Sequence, residues 1–432
     1  MQKNLGSRDS LEDVRTEIPG PRTRELAKAL ARVESRNVTF VDRRFPIFWE
    51  SAHGANVVDV DGNRYIDLTA GFGVANTGHS NPRVAQAISE QAHMLMHAMG
   101  DVHPSEGKVQ LLERLAQLAP GDLGKTFLAS TGAEAVEAAV KTAVLATGKY
   151  TFVSFRGSYH GLSLGALSVA GMDKFRTPFA ELLPKNALFF DYPREVSELL
   201  TLEQALKERN DVAAVIIEPI QGRGGGRVAP AGYLDGLREV CSALGVLLVF
   251  DEIYTGFGRT GTMFACEYDG VVPDILCVGK ALANGFPISA MIARPAVMDA
   301  WPPSTGEALH TSTFLGNPMA CAAALANLDE LQHRDLPARA ASLGTALELR
   351  LSELRSIPFV SDGRGRGLMW GIEVDSGERA FRVVVEALKR GVILLQAGAA
   401  GDVLSITPPL VISDEQLARA VDILEECLRA CG

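Results

Sequence analysis

At 432 residues, with 47% hydrophobic and 22% charged side chains, the chain exceeds one ordinary hydrophobic core and suits a globular enzyme built of a large and a smaller domain. A formal net charge of −10 argues against a nucleic-acid or anionic-membrane partner, and no apolar run approaches the roughly 18 residues that a membrane helix needs. Six cysteines without a C-x-x-C pair, and a start (MQKNLGSRDSLEDVR) too polar for a signal peptide, lead us to expect reduced, buried thiols in a cytoplasmic protein.

In chain order, residues 1 to about 18 are polar and are expected to be loosely ordered. Pro21 opens a predicted short helix with Leu26, Leu30 and Val33 on one face. The stretch ANVVDVDGNRYIDLT reads as a hairpin turning at Asp61-Gly62. From about residue 81 helical patterns (82–99, 105–119, 133–147, 233–244) accompany short apolar runs (151–155, 213–218, 246–251, 275–279). Runs apolar throughout belong to a sheet covered on both faces, and alternation with helices implies a mainly parallel one. After about 325 a long helical stretch leads to candidate strands at 367–374, 391–396 and 403–407, and to a last helix capped by Ser413 and Gln416. The expected architecture is α/β. A large domain (81–325) carries a mainly parallel central sheet flanked by helices. A small α+β domain (326–432) packs with an N-terminal segment (1–80).

Three features fall at strand ends, where open α/β sheets bind ligands. Ser130-Thr131-Gly132-Ala133-Glu134 opens a helix; its exposed N–H groups and dipole suit an anion such as phosphate, although a plain N-cap uses the same residue types. Asp251 closes the run VLLVFD, where a buried carboxylate needs a partner such as a protonated ring nitrogen. Lys280 follows DILCVG, where burial would lower its pKa and free the amine for Schiff-base chemistry. A phosphate cradle, a carboxylate for a pyridinium and an amine for an aldehyde are together the needs of pyridoxal 5'-phosphate. The eight histidines show no metal-ligand spacing.

Several ordered stretches make this set specific: DVDGNRYIDLTAGFGVANTGHSNP, STGAEAVEAAVKTA, SYHG, EPIQG, DEIYTGFGRTG, PDILCVGKALANGFPISA, TSTFLGNP and GRGLMWGIEV. With them, the chain from about residue 40 onward resembles the class III aminotransferases, of fold type I among pyridoxal-phosphate enzymes. The resemblance implies that Lys280 carries the cofactor as an internal aldimine and shuttles the proton, and that Asp251 pairs with the pyridine nitrogen. It implies a phosphate cradle at Thr131, Gly132 and Ala133, with Thr313 reaching the phosphate of a partner subunit. Tyr159 would stack on the ring, with His160 shaping the turn beside it; Glu218 would lie near the phenolic side, and Ile253 and Tyr254 would complete the cofactor site. The same resemblance implies a homodimer, with a tetramer open.

Departures from the family pattern concern substrate. Tyr254 stands where many relatives have glutamine beside the phenolic oxygen, and its hydroxyl is expected to donate there with longer reach. Ser405, in VLSITPPL, and Leu162, after Y-H-G, stand where relatives acting on 4-aminobutyrate or ornithine carry arginine. Glu218 is therefore expected to lack an arginine partner, and Phe72 to make the entrance aromatic. Arg223 and Arg44 are the candidate replacements for binding a carboxylate. The expected activity is ping-pong transfer of an amino group from an amine or amino acid to a 2-oxo acid or aldehyde. An amino-acid racemase or epimerase on the same scaffold is the alternative.

Overall fold

The computed structural model describes residues 9–432. The first eight residues of the polar leader lie outside them. Residues 9–18 are tied down, contrary to expectation. Asp13 bridges Arg64, Arg15 N donates to Asn63 Oδ1 (2.8 Å), and Glu12 pairs with Arg419 (2.7 Å). Polar side chains anchor this segment, so an apolarity pattern does not reveal it.

The predicted helix at Pro21–Val33 forms, but Val33 is 83% exposed and not on a packed face. The hairpin forms from Asn56–Asp59 and Arg64–Asp67, with Gly62 at φ 85° in the turn. The helix from Pro82 stops at Met94, short of 99. Beyond it the chain runs along residues 311–317, where Thr311 Oγ1 donates to Asp101 and Asn317 Nδ2 to the Met96 carbonyl (3.0 Å).

A seven-stranded sheet forms the centre, in the order Lys125–Ala129, Ser289–Ala293, Ile275–Val278, Leu247–Asp251, Val212–Ile217, Thr151–Phe155, Ala187–Phe190. Only Ser289–Ala293 runs against its neighbours; the other contacts are parallel. The strands ending at Ala129, Asp251 and Val278 therefore finish on one edge. Asp251 lies in register with Cys277, which brings Lys280 beside it. The helix Gly132–Thr147 starts at the same edge and lays an alanine face (Ala135, Ala138, Ala139, Ala143) on the sheet. Small side chains let helix and sheet pack closely.

Toward the C-terminus, Val360–Arg366, Met369–Val374, Val403–Ile406 and Leu395–Ala397 make an antiparallel sheet. The first of these strands, VSDGRGR, is too polar to be read from periodicity. The apolar run 391–396 is divided: Val392–Ile393 joins the N-terminal hairpin in parallel with Ile66–Asp67, and Leu395–Ala397 joins the antiparallel sheet. The last helix, Asp414–Ala430, carries the expected capping box between Ser413 and Gln416.

Candidate active site

At the carboxyl edge of the central sheet lies a cavity of about 310 Å³. Its walls bring together Thr131, Gly132, Ala133, Tyr159, His160, Leu162, Glu218, Asp251, Ile253, Tyr254 and Lys280, all predicted, with Arg223, one of the two candidate carboxylate binders, and add Gly161.

The anion cradle is open. Glu134 Oε2 accepts from the N–H groups of Ser130 (2.8 Å) and Thr131 (2.9 Å), and Thr131 Oγ1 accepts from Glu134 N. Among the described residues the N–H groups of Gly132 and Ala133 have no partner, and they stand at the positive end of a 16-residue helix. Gly132 is required by crowding: an added Cβ would fall 2.8 Å from Ile253 Cδ1.

In the cavity floor, Asp251 Oδ1 accepts from Ile253 N (3.0 Å), and Oδ2 faces His160 Nδ1 at 2.6 Å. Burial opposes a charged imidazole, but the Asp251 carboxylate outweighs it and the net shift of His160 is upward. This orients Nδ1–H toward the carboxylate; Nε2 is buried without a partner among the described residues.

Lys280 has φ 40°, in the left-handed region that a lysine adopts only when its surroundings enforce it. Its Nζ sits 3.7 Å from the centre of the Tyr254 ring. Burial pushes the amine down to about 8, against the pull of Asp251 and Glu218. Burial likewise pushes the Glu218 carboxyl up to about 7, opposed by His160. In place of an arginine, Glu218 takes two backbone donors, Tyr159 N (2.9 Å) and Gly222 N (3.2 Å).

Geometry and sequence now converge. The family model for class-III aminotransferases matches residues 39–428. This chain is a class III aminotransferase. It is 41% identical to an acetylornithine aminotransferase of Methanopyrus kandleri, over 90% of this chain and 96% of the relative. It is 40% identical to a putrescine aminotransferase of Pectobacterium atrosepticum, over 88% and 82%. An amine transaminase from an uncultivated Pseudomonas species, solved with pyridoxal phosphate bound, superposes with a TM-score of 0.85 at 30% identity, covering 93% of this chain and 99% of that one.

The aminotransferase depends on pyridoxal phosphate, and its residues fit that group. The two free N–H groups of Gly132 and Ala133 would hold its phosphate, the Asp251 carboxylate its ring nitrogen, and the Lys280 amine its aldehyde carbon. When bound, the cofactor supplies an electron sink for the carbon that carries the amino group.

Three predicted residues stand outside the cavity walls. Phe72, at φ 66°, lines a neighbouring apolar hollow of about 150 Å³ with Trp49 and Leu395. Ser405 sits in a strand opposite Gly371 and Leu395. Thr313 is exposed on the loop before Pro318. The hydroxyl of Tyr254, expected to donate beside the phenolic oxygen, pairs with Thr407 Oγ1 at 3.1 Å. The Tyr254 ring fills space left by Gly73 and Gly222, where an added Cβ would lie 2.1 and 2.3 Å from ring carbons. Arg44 is engaged elsewhere, by Asp42 (2.8 Å) and the Phe381 ring. The role of His160 as partner of Asp251 was not predicted. Its signal was the aspartate's own need for a buried partner.

Proposed function

We propose that the enzyme moves an amino group from an amine or amino acid to a 2-oxo acid in two half-reactions at the Lys280 cavity. One observation carries this reading: Lys280, Asp251 and the free N–H groups of Gly132 and Ala133 face the same space. Gly132 and Ala133 bind the phosphate end. Asp251, held by His160 and Ile253 N, keeps the ring nitrogen protonated. With the cofactor in place, Lys280 Nζ as a free base would take up the proton of the substrate carbon and hold it for redelivery. Tyr159, Leu162 and Tyr254 surround the reacting amine with mostly apolar surface and exclude water.

The acetylornithine and putrescine relatives support a donor whose primary amine ends a short carbon chain. We read the working unit as a homodimer. Met96 and Met99 are exposed in the segment that packs along Phe314 and Asn317, and Phe314 is exposed with them, an apolar surface suited to an interface. Thr313 lies on this face and would reach the cradle of the partner subunit. Segments 1–80 and 326–432 share a sheet through Arg64–Asp67 and Val392–Ile393, which supports reading them as one small lobe against 81–325. Six free, buried cysteines favour a reducing compartment, the cytoplasm.

The test is a panel of donors (N-acetylornithine, ornithine, putrescine, 4-aminobutyrate, aromatic amines), each with pyruvate or 2-oxoglutarate, followed by mass spectrometry of the new amino acid. Formation of alanine or glutamate matched to donor loss is expected. Racemisation of single enantiomers with no amino transfer would overturn the reading in favour of an epimerase.

A further inference from the structure

Glu218 on the cavity wall is already met by two backbone donors, and the remaining charged group without a role in the scheme above is Arg223. It follows Gly222 in QGRGGG, and its main-chain carbonyl is fixed by Gly398 N (2.9 Å). Its guanidinium lies 5.9 Å from the centre of the Tyr159 ring. Among the described residues it has neither an ion-pair nor a hydrogen-bond partner. Other arginines of this region are engaged: Arg259 is fully buried and donates to the carbonyls of Leu368 and Pro408, and Arg364 pairs with Asp362 and Glu373.

A second cation lies on the same pair of aromatic rings. Lys174 Nζ lies 5.2 Å from the Phe175 ring centre, and Phe175 meets Tyr159 edge to face at 5.7 Å. Lys174 also has no carboxylate partner among the described residues. Its amine is held below the usual lysine range by burial and by the charge of Arg223. Two cations without counter-charges around one pair of rings repel one another, and an anion bound at Arg223 lowers that cost. The cavity offers no competing anchor. Ser405 carries no charge, the cradle is the place of the phosphate, and the Lys280 amine is needed for chemistry.

We propose that Arg223 receives a substrate carboxylate, that Lys174 is the outer cation of the same mouth, and that the enzyme prefers dicarboxylate 2-oxo acids over monocarboxylates and aldehydes. The planar fork of Arg223 fits a carboxylate with two parallel N–H donors. The mostly apolar walls of Leu162 and Tyr159 fit the carbon chain between the acid group and the reacting carbon. The preference for an acceptor rests on the transamination reading; the anion site does not.

Two measurements keep these apart. Calorimetric titration of the cofactor-loaded enzyme with glutarate, an unreactive dicarboxylate, reads the site without turnover. Wild type should bind glutarate about 10–100-fold tighter than Arg223→Gln, the range of a hydrogen-bonded charge pair. Arg223→Lys should recover part of the loss, and Lys174→Gln should lose a few-fold. Equal affinity in wild type and Arg223→Gln, or equally tight binding of neutral glutaramide, would overturn the proposal. In turnover, the KM for 2-oxoglutarate relative to that for hexanal should rise at least about tenfold in Arg223→Gln; an unchanged ratio would sink the acceptor preference. No amino transfer with any acceptor, together with glutarate binding lost in Arg223→Gln, would overturn the transamination reading and keep the anion site.

Discussion

His160 Nδ1 stands 2.6 Å from Asp251 Oδ2, and both side chains are buried. The contact joins the loop after the strand Thr151–Phe155 to the end of the strand Leu247–Asp251, and it fixes the carboxylate that we propose for the cofactor's ring nitrogen. A charged hydrogen bond of this kind contributes about 1.5–3 kcal/mol. His160→Phe should therefore weaken cofactor binding and lower kcat by about 10–100-fold. His160→Asn, which restores an N–H at the place of Nδ1, should recover most of the loss. Equilibrium dialysis of the cofactor and single-turnover rates would read both effects, and an Asn variant no better than Phe would reduce His160 to a packing residue.

The Lys280 amine gives a pH dependence with a definite sign. A buried amine lowered to about 8 is a free base above that pH. Only the free base attacks an aldehyde, so cofactor capture by the apoenzyme should rise with pH up to about 8 and then level off. An ordinary lysine would keep gaining to beyond pH 10. Stopped-flow absorbance from pH 6 to 10 distinguishes the two, and a rate still climbing at pH 10 would refute the burial effect.

The chemistry was more legible in the sequence than the architecture around it. Lys280, Asp251 and the Thr131–Ala133 helix start lie where apolar strands end, and strand ends are visible as breaks in hydrophobic runs. The parallel sheet was legible for the same reason. What escaped rests on polar or divided segments: the strand Val360–Arg366, the tied-down residues 9–18, and the run 391–396 shared between two sheets. Tyr254 escaped because its hydroxyl's partner, Thr407, lies 153 residues away. Arg223 was one candidate of two, and its place on the cavity wall together with the pairing of Arg44 with Asp42 separates them.

Crowding at the cradle yields a compensation test. Gly132→Ala places a methyl against Ile253 Cδ1, which should cost about 1–3 kcal/mol as overpacking and loosen phosphate binding. Ile253→Val removes that terminal carbon and should restore most of the affinity in the double variant. Cofactor titration of the four proteins reads the coupling; simple additivity would show that the methyl is not the cause.

Glu252, next to Asp251, serves the fold. It is fully buried and accepts from Thr255 Oγ1 (2.9 Å), Ala265 N (2.6 Å) and Cys266 N (2.9 Å). Glu252→Ala leaves two backbone donors without a partner and should lower unfolding stability by about 3 kcal/mol or more. Denaturant unfolding of the apoenzyme checks this, and a loss under about 1 kcal/mol would mean that water replaces the carboxylate.

The central claim is that one amine, Lys280 Nζ, carries the cofactor. Borohydride reduction of the yellow enzyme, followed by peptide mapping, tests it directly. The mass of reduced pyridoxal phosphate should appear on the peptide containing Lys280 and vanish in Lys280→Ala. The label on another lysine, or full labelling of Lys280→Ala, would contradict the account.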